Sequence, residues 1–330
     1  MTIDPDTFLT TVYATVDDFC AQHPGPLRPG PKPVMGDSEV LTVMLLKAWY
    51  GTSERGALAW VQARFPAAFP HLLTPSAFNR RARALAFEMA QLLHELSGHL
   101  TIGDDVYEIL DGLPIPVATT ERGQRRRCLL PEAADIGRGG TGKGWYYGVS
   151  LLGCVSAAGV ITGFVTAPAN DAERWQASAL ISWRHDPTAV PMDVEAITPP
   201  RGHGRTLTGP VGHQLSPTTA GETVAGVYLA DRGFAGTEWQ QVWRRRYGAT
   251  VIAPETLEPD DRHWFHHARQ RIETVFAVLT DVLHIKHPRV RTEAGLITRI
   301  VSACTAFNLG IFINRRFDRP DLAHGTLFRA

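Results

Sequence analysis

The sequence predicts a mixed α/β protein with a helical N-terminal part. Two observations support this class. Apolar residues recur at helical spacing in the first hundred residues, and β-rich runs follow one another after residue 100 before alternating with helices. Apolar residues make up 44% of the 330 residues and charged residues 20%, which excludes a disordered or collagen-like chain.

The first hundred residues are predicted to form a helical domain. Asp37-Ser38 can cap a helix whose apolar residues follow a 3.6-residue period as far as Gly51. Thr74-Pro75 begins a further helix that runs to Gly98, and residues 57–69 between them are predicted to be helical as well. A compact helical domain with basic residues over 1–100 is expected to bind DNA, or to serve dimerisation or packing.

Residues 101–330 are predicted to form a second domain built on a mixed sheet. The expected strands are short apolar runs at 106–110, 145–155, 160–167, 224–230 and 250–253. The expected helices cover 171–183, 236–247, 264–283 and 296–314. A Pro/Gly-rich stretch at about 187–221 has no clear period and is interpreted as an insertion.

Charge and cysteine content limit the partners and the compartment. Lys+Arg (33) and Asp+Glu (33) cancel, yet residues 262–319 hold ten Arg or Lys against four Asp or Glu. Such segregation favours a polyanion as partner. The four cysteines form no C-x-x-C pair, and the apolar run 40–48 is too short to span a bilayer. We therefore expect a cytoplasmic protein with no membrane association.

Three carboxylates occupy positions typical of catalytic groups. Asp111 and Asp231 each follow an apolar run, so each is expected at the rim of the sheet, where α/β active sites form. Glu273 lies beside the apolar face of an amphipathic helix. Two or three such carboxylates suffice to hold Mg²⁺ ions for in-line phosphoryl transfer. Taken singly, each has an ordinary alternative: a turn or cap residue for each Asp, and an ion pair with Arg269 for Glu273.

The motifs around these residues resemble the DDE transposases of bacterial insertion sequences. Asp111 stands in Asp-Gly-Leu-Pro-Ile-Pro-Val, Asp231 in Leu-Ala-Asp-Arg-Gly-Phe, and Glu273 in Arg-Ile-Glu followed by Phe276 and Leu279. Residues 37–40 and 76–81 are similar to the N-terminal helical part of such proteins. The resemblance implies an RNase H-like core, as in retroviral integrases, with Asp111, Asp231 and Glu273 as the catalytic and metal-binding triad.

The resemblance also implies a cofactor, partners and an activity. It implies Mg²⁺, with Mn²⁺ as a substitute, and metal-dependent cleavage and strand transfer of DNA by a homodimer that binds the terminal inverted repeats and a target. The candidate DNA-binding residues are the basic side chains Arg80, Arg81, Arg125, Arg126, Lys143, His266, Arg269 and Arg271. Relatives often carry a Tyr where this chain has His266, and a Lys or Arg where it has Thr280.

Two alternative functions remain open. A catalytically silent DNA-binding regulator derived from a transposase, and a metal-dependent nuclease without strand transfer, both fit the same residues. The segment around Lys143 fails the P-loop pattern because Gly144 replaces Ser or Thr. The adjacent His266 and His267 diverge by about 100° on a helix, which disfavours a zinc site.

Overall fold

The computed structural model describes residues 2–24, 30, 33–102, 106–123, 129–139, 144–185 and 226–327. The chain divides into two compact units. The helical unit comprises Met1–Leu96, Val278–Ile285 and Ala294–Ala330, and the sheet unit comprises Ser97–Ala277 and Lys286–Glu293. The helical unit therefore draws on both ends of the sequence. A single boundary at residue 100 does not separate the two units.

The α-helices, in chain order, are α1 (Pro5–Gln22), α2 (Asp37–Tyr50), α3 (Glu54–Arg64), α4 (Pro75–Ala84), α5 (Ala86–Leu100), α6 (Thr120–Gly123), α7 (Glu173–His185), α8 (Thr237–Tyr247), α9 (Pro259–Asp281) and α10 (Glu293–Arg316). The strands are β1 (Glu108–Ala118), β2 (Asp135–Arg138), β3 (Trp145–Ser156), β4 (Ile161–Pro168), β5 (Val227–Leu229) and β6 (Thr250–Ile252). Most of these elements match the predicted ones. Helices α1 and α6 and strand β2 were not predicted.

The N-terminal helices begin where the chain supplies caps. The Asp4 side chain accepts a hydrogen bond from the Thr7 N–H at 2.9 Å, and Pro5 opens α1. The predicted single helix after Thr74 is instead two, because the chain leaves the helical conformation at Leu85 before α5 begins. Leu85 is fully buried, so this break lies within the core of the helical unit.

Helix α10 is the core helix of the helical unit. By length and composition it could cross a membrane, but 89% of its apolar window is buried within the fold. Thr305 of α10 donates a hydrogen bond to the Met89 carbonyl at 3.2 Å, and Arg299 donates to the Leu283 carbonyl at 3.0 Å. Its continuous apolar sequence therefore reflects burial on all sides.

The strand order of the sheet is β2-β3-β1-β5-β6, and β4 pairs with β3. Strand β1 is antiparallel to β3, and β3 is antiparallel to both β2 and β4. Strands β1, β5 and β6 run parallel. This mixed sheet, with helices beside it and a helical N-terminal region, is consistent with an RNase H-like core. The predicted fold class is confirmed.

The sequence predicts that strand β1 ends at Asp111, but in the structure the strand continues past it. It continues through Pro114 and Pro116 to Ala118, paired with β3 along that length. Strand β5 pairs with Glu108 and Ile109, and in the described part of the chain β1 has no ladder partner on that side beyond Ile109. A missing proline N–H costs little on an open edge. The two prolines therefore mark a half-open strand rather than a turn.

Candidate active site

The sheet places Asp111 and Asp231 at matching positions on adjacent parallel strands. Ile109 of β1 pairs with Leu229 of β5, and each aspartate lies two residues further along its strand direction. Side chains two residues apart in a strand share a face. The pairing of Ile109 with Leu229 therefore puts both aspartates at the same level and on the same face of the sheet. Asp111 thus marks the end of the parallel pairing although it lies within β1. Asp231 lies just beyond β5, with Ala230 between it and the last strand residue, Leu229.

Helix α9 approaches the sheet at a glycine opposite Asp111. The residue paired with Asp111 on β3 is Gly153. A Cβ built on Gly153 would lie 3.0 Å from the Phe276 ring, so the ring packs directly on the strand backbone. Directly opposed residues of an antiparallel pair point to the same face. Phe276 therefore brings α9, and with it Glu273 three residues earlier, to the face that carries Asp111.

Arg269 connects α9 to Asp111. Its Nη2 lies 3.2 Å from Asp111 Oδ2, and both side chains are largely buried. From the sequence, the expected partner of Arg269 is Glu273 or DNA; in the fold its partner is Asp111. The Arg269 Nε is buried and has no hydrogen-bond partner among the described residues. This guanidinium therefore retains a free donor beside the carboxylates.

Burial and like charges act on Asp111 together. Burial raises its pKa to about 6, Arg269 and the Gly112 N–H oppose the rise, and the charges of Asp231 and Glu273 add to it. The last two contributions show that Asp111, Asp231 and Glu273 lie in one electrostatic neighbourhood. A cation would stabilise the ionised form of such a group.

A fourth carboxylate, Glu173, lies in the same neighbourhood, and the sequence analysis did not identify it. Glu173 is the first residue of α7. Burial, followed by the charges of Asp231 and Asp111, raises its pKa to about 7, and Arg269 opposes the rise. The available signal was weak, because an acidic residue in the first turn of a helix is ordinary.

The turn after β5 holds Asp231 in a defined position. Its Oδ1 accepts a hydrogen bond from the Gly233 N–H at 2.7 Å and so caps the short 3₁₀ helix Arg232–Phe234. Arg174, next to Glu173, donates to the Gly233 carbonyl at 2.6 Å. The N–H and the carbonyl of Gly233 are thus both hydrogen-bonded to side chains of this region.

The other predicted DNA-binding residues occupy separate places. His266 and Arg271 are exposed on α9, and Arg271 has no ion-pair partner among the described residues. In the helical unit, Arg80 is exposed, whereas Arg81 forms an ion pair with Asp37. Arg125, Arg126 and Lys143 lie outside the described residues, as does the predicted insertion at 187–221.

The donor chemistry at this site suits a hard divalent cation. All four acidic side chains offer oxygen, the ligand that Mg²⁺ prefers. Within the described part of the chain, no three His, Cys, Asp or Glu side chains stand close enough, as placed, to enclose a metal ion. The sharing of metal ions by Asp111, Asp231 and Glu273 remains a prediction.

A comparison with known protein families finds a similarity over part of the chain. The family of the transposase DDE domain matches residues 185–309, less than half of the chain. The match confirms the resemblance to DDE-type transposases. It contains Asp231 and Glu273 of the predicted triad and begins after Asp111 and Glu173. No curated protein and no solved structure matches the chain.

Proposed function

We propose that this DDE-type protein is a transposase that cuts DNA at the ends of an insertion sequence and joins them to a target. The observation that carries the proposal is the matched position of Asp111 and Asp231, two residues beyond the paired Ile109 and Leu229. The docking of α9 against Gly153 supports Glu273 as the third member. The family match supports the relationship over residues 185–309.

Asp111, Asp231 and Glu273 would hold Mg²⁺, for which Mn²⁺ could substitute. When bound, two such ions activate the attacking oxygen and stabilise the leaving oxygen of an in-line displacement. Arg269 orients Asp111 through their ion pair, and its unpaired Nε is a donor for a phosphate oxygen. The same residues would serve cleavage at the element end and the later attack of the freed 3′-hydroxyl on target DNA.

The partners follow from the reaction. We propose that the protein acts on DNA in the cytoplasm, binds the terminal inverted repeats and the target, and synapses two ends as a homodimer. Exposed basic side chains, including Arg80, Arg271 and His266, are proposed to contact phosphates.

A strand-transfer assay tests the proposal. Labelled duplex carrying the inverted repeats that flank the gene is incubated with the protein, a supercoiled target and Mg²⁺. We expect cleavage followed by joining. Cleavage without joining would identify a nuclease instead, and DNA binding without cleavage would identify a regulator.

Asp231→Asn is expected to reduce cleavage by at least about a hundredfold, since the amide keeps the shape but loses the charge that holds the ion. End-DNA affinity, measured by gel shift, should change little. Asp260→Asn, at an exposed position in the first turn of α9, is the matched control and should cleave normally. Cleavage by Asp231→Asn at the wild-type rate would refute the assigned role.

A further inference from the structure

The Glu173 carboxylate lies where two glycines leave room for it. A Cβ on Gly112 would lie 2.3 Å from Glu173 Oε1, closer than a real Cβ approaches another atom. A Cβ on Gly233 would lie 3.4 Å from Glu173 Oε2 and 2.9 Å from Asp231 Oδ1. Gly112 directly follows Asp111, and Gly233 is two residues after Asp231. The glycines of both aspartate motifs therefore make space for one side chain from α7.

Glu173 reaches this place from the other face of the sheet. Gly112 is adjacent to Asp111 in β1, so a side chain at position 112 would point to the face opposite the Asp111 side chain. That face is covered by α7, whose Ala177, Leu180 and Ile181 belong to the same buried cluster as Leu110 and Leu152. The Glu173 carboxylate nevertheless lies beside the Gly233 position, which is beyond the end of β5 and two residues after Asp231.

The charge balance at this position is unfavourable without a cation. The Glu173 carboxylate feels the charges of Asp231 and Asp111, and Asp111 in turn feels those of Asp231 and Glu273. Arg269, the cation near both groups, forms its ion pair with Asp111. Among the described residues, neither a hydrogen bond nor an ion pair satisfies the Glu173 carboxylate. A partly buried carboxylate that only stabilised the fold would be expected to have such a partner.

We propose that Glu173 is a fourth metal-ligating carboxylate of the site, held against Gly112 and Gly233 so that its oxygens face the same divalent cation as Asp231. The choice of Mg²⁺ as that cation rests on the proposed function. The position of Glu173 Oε2 beside Gly233 supports Glu173 as a metal ligand whatever reaction the protein catalyses.

Direct binding of Mn²⁺, followed by electron paramagnetic resonance on the full-length protein, tests the proposal. Glu173→Gln should weaken Mn²⁺ binding by at least about tenfold. It should leave the melting temperature of the metal-free protein unchanged or higher, because it removes one of several like charges, and it should reduce the rise in melting temperature that Ca²⁺ produces. Glu238→Gln, an exposed first-turn glutamate of α8, is the matched control and should behave as wild type.

A second variant retains all four carboxylates. Gly112→Ala adds a methyl group that must displace the Glu173 carboxylate, and alanine is tolerated in a strand. It should also weaken Mn²⁺ binding about tenfold. Mn²⁺ affinity of Glu173→Gln within twofold of wild type, or a lower melting temperature of its metal-free form, would overturn the proposal.

Failure of this proposal and failure of the proposed function give different results. A wild-type protein that joins DNA strands, with unaltered Mn²⁺ binding in Glu173→Gln, would retain the transposase function and remove Glu173 from the metal site. Mn²⁺ binding that depends on Glu173, in a protein that cuts no DNA, would support Glu173 as a metal ligand and contradict the transposase function.

Discussion

Arg269 and Arg271 illustrate how two residues of one helix receive different environments. They are two positions apart and so point about 200° from each other. Arg269 is largely buried against Asp111, whereas Arg271 is exposed. Their spacing on the helix is enough to account for this difference in orientation.

Arg269→Ala is expected to lower single-turnover cleavage more than DNA binding, because it removes the group that orients Asp111. Arg271→Ala should mainly weaken binding, and the dependence of log affinity on log salt should become shallower by roughly 0.9 for a lost duplex phosphate contact. Affinity measured across a salt series, together with single-turnover cleavage, checks both. Equal catalytic losses with unchanged salt slopes would contradict the assignment.

The site residues differ in how far the sequence could predict them. Asp111 and Asp231 follow apolar runs, and Glu273 adjoins an apolar helix face, so local patterns placed all three. Glu173 follows no such pattern, and only the fold shows that Gly112 and Gly233 leave room for it. Its role depends on contacts between segments distant in sequence, which no local period encodes.

At the scale of elements, α7 is fixed to the sheet by a buried ion pair. Arg184 Nη2 lies 2.6 and 2.7 Å from the two carboxylate oxygens of Glu108 in β1. Arg184 Nη1 also donates to Thr162 of β4 at 3.1 Å, and the guanidinium lies 6.0 Å from the Tyr228 ring centroid. These contacts set the position of the helix that presents Glu173 at its other end.

Arg184→Met is expected to lower the free energy of unfolding by about 3–5 kcal/mol, because it leaves the Glu108 carboxylate buried without its partner. The double variant with Glu108→Met should recover part of that loss. Arg232→Met, which breaks an exposed ion pair with Glu255, is the control and should cost at most about 1 kcal/mol. Urea unfolding measures all three. A loss below about 1 kcal/mol in Arg184→Met would contradict the structural role of the pair.

The elements show where periodicity succeeds and where it does not. Helix α9 was predicted from the helical spacing of its apolar face, and strands β3 and β4 from two β-rich runs separated by a turn at 156–159. The length of β1 was not, since Pro114 and Pro116 are usual turn signals and the sequence does not reveal which strand edge lacks a partner. Pairing partners, rather than propensity, decided that element.

At the scale of the molecule, the basic segment of the sequence does not belong to a single structural unit. The basic segment 262–319 is divided between the two units. Several of its arginines have structural partners: Arg299 donates to the Leu283 carbonyl, and Arg315 pairs with Asp321. A count of charges along the chain therefore overestimates the side chains available to DNA.

The helical unit should not fold from its N-terminal residues alone. A fragment of residues 1–96 lacks α10, which supplies the buried core of that unit. We expect the fragment to bind the dye ANS and to melt without a cooperative transition in circular dichroism. Co-expression with a fragment of residues 278–330 should restore cooperative melting. A cooperative transition in the isolated fragment would contradict this expectation.

The division of the helical unit also sets an order in time. The N-terminal helices leave the ribosome first, but α10 follows only after the intervening residues 97–277 of the sheet unit. At about 5–20 residues per second, synthesis of that segment takes on the order of 10–40 s. During this interval the apolar faces that later cover α10 have no partner within their own unit. The helical unit is therefore completed only after α10 has been synthesised.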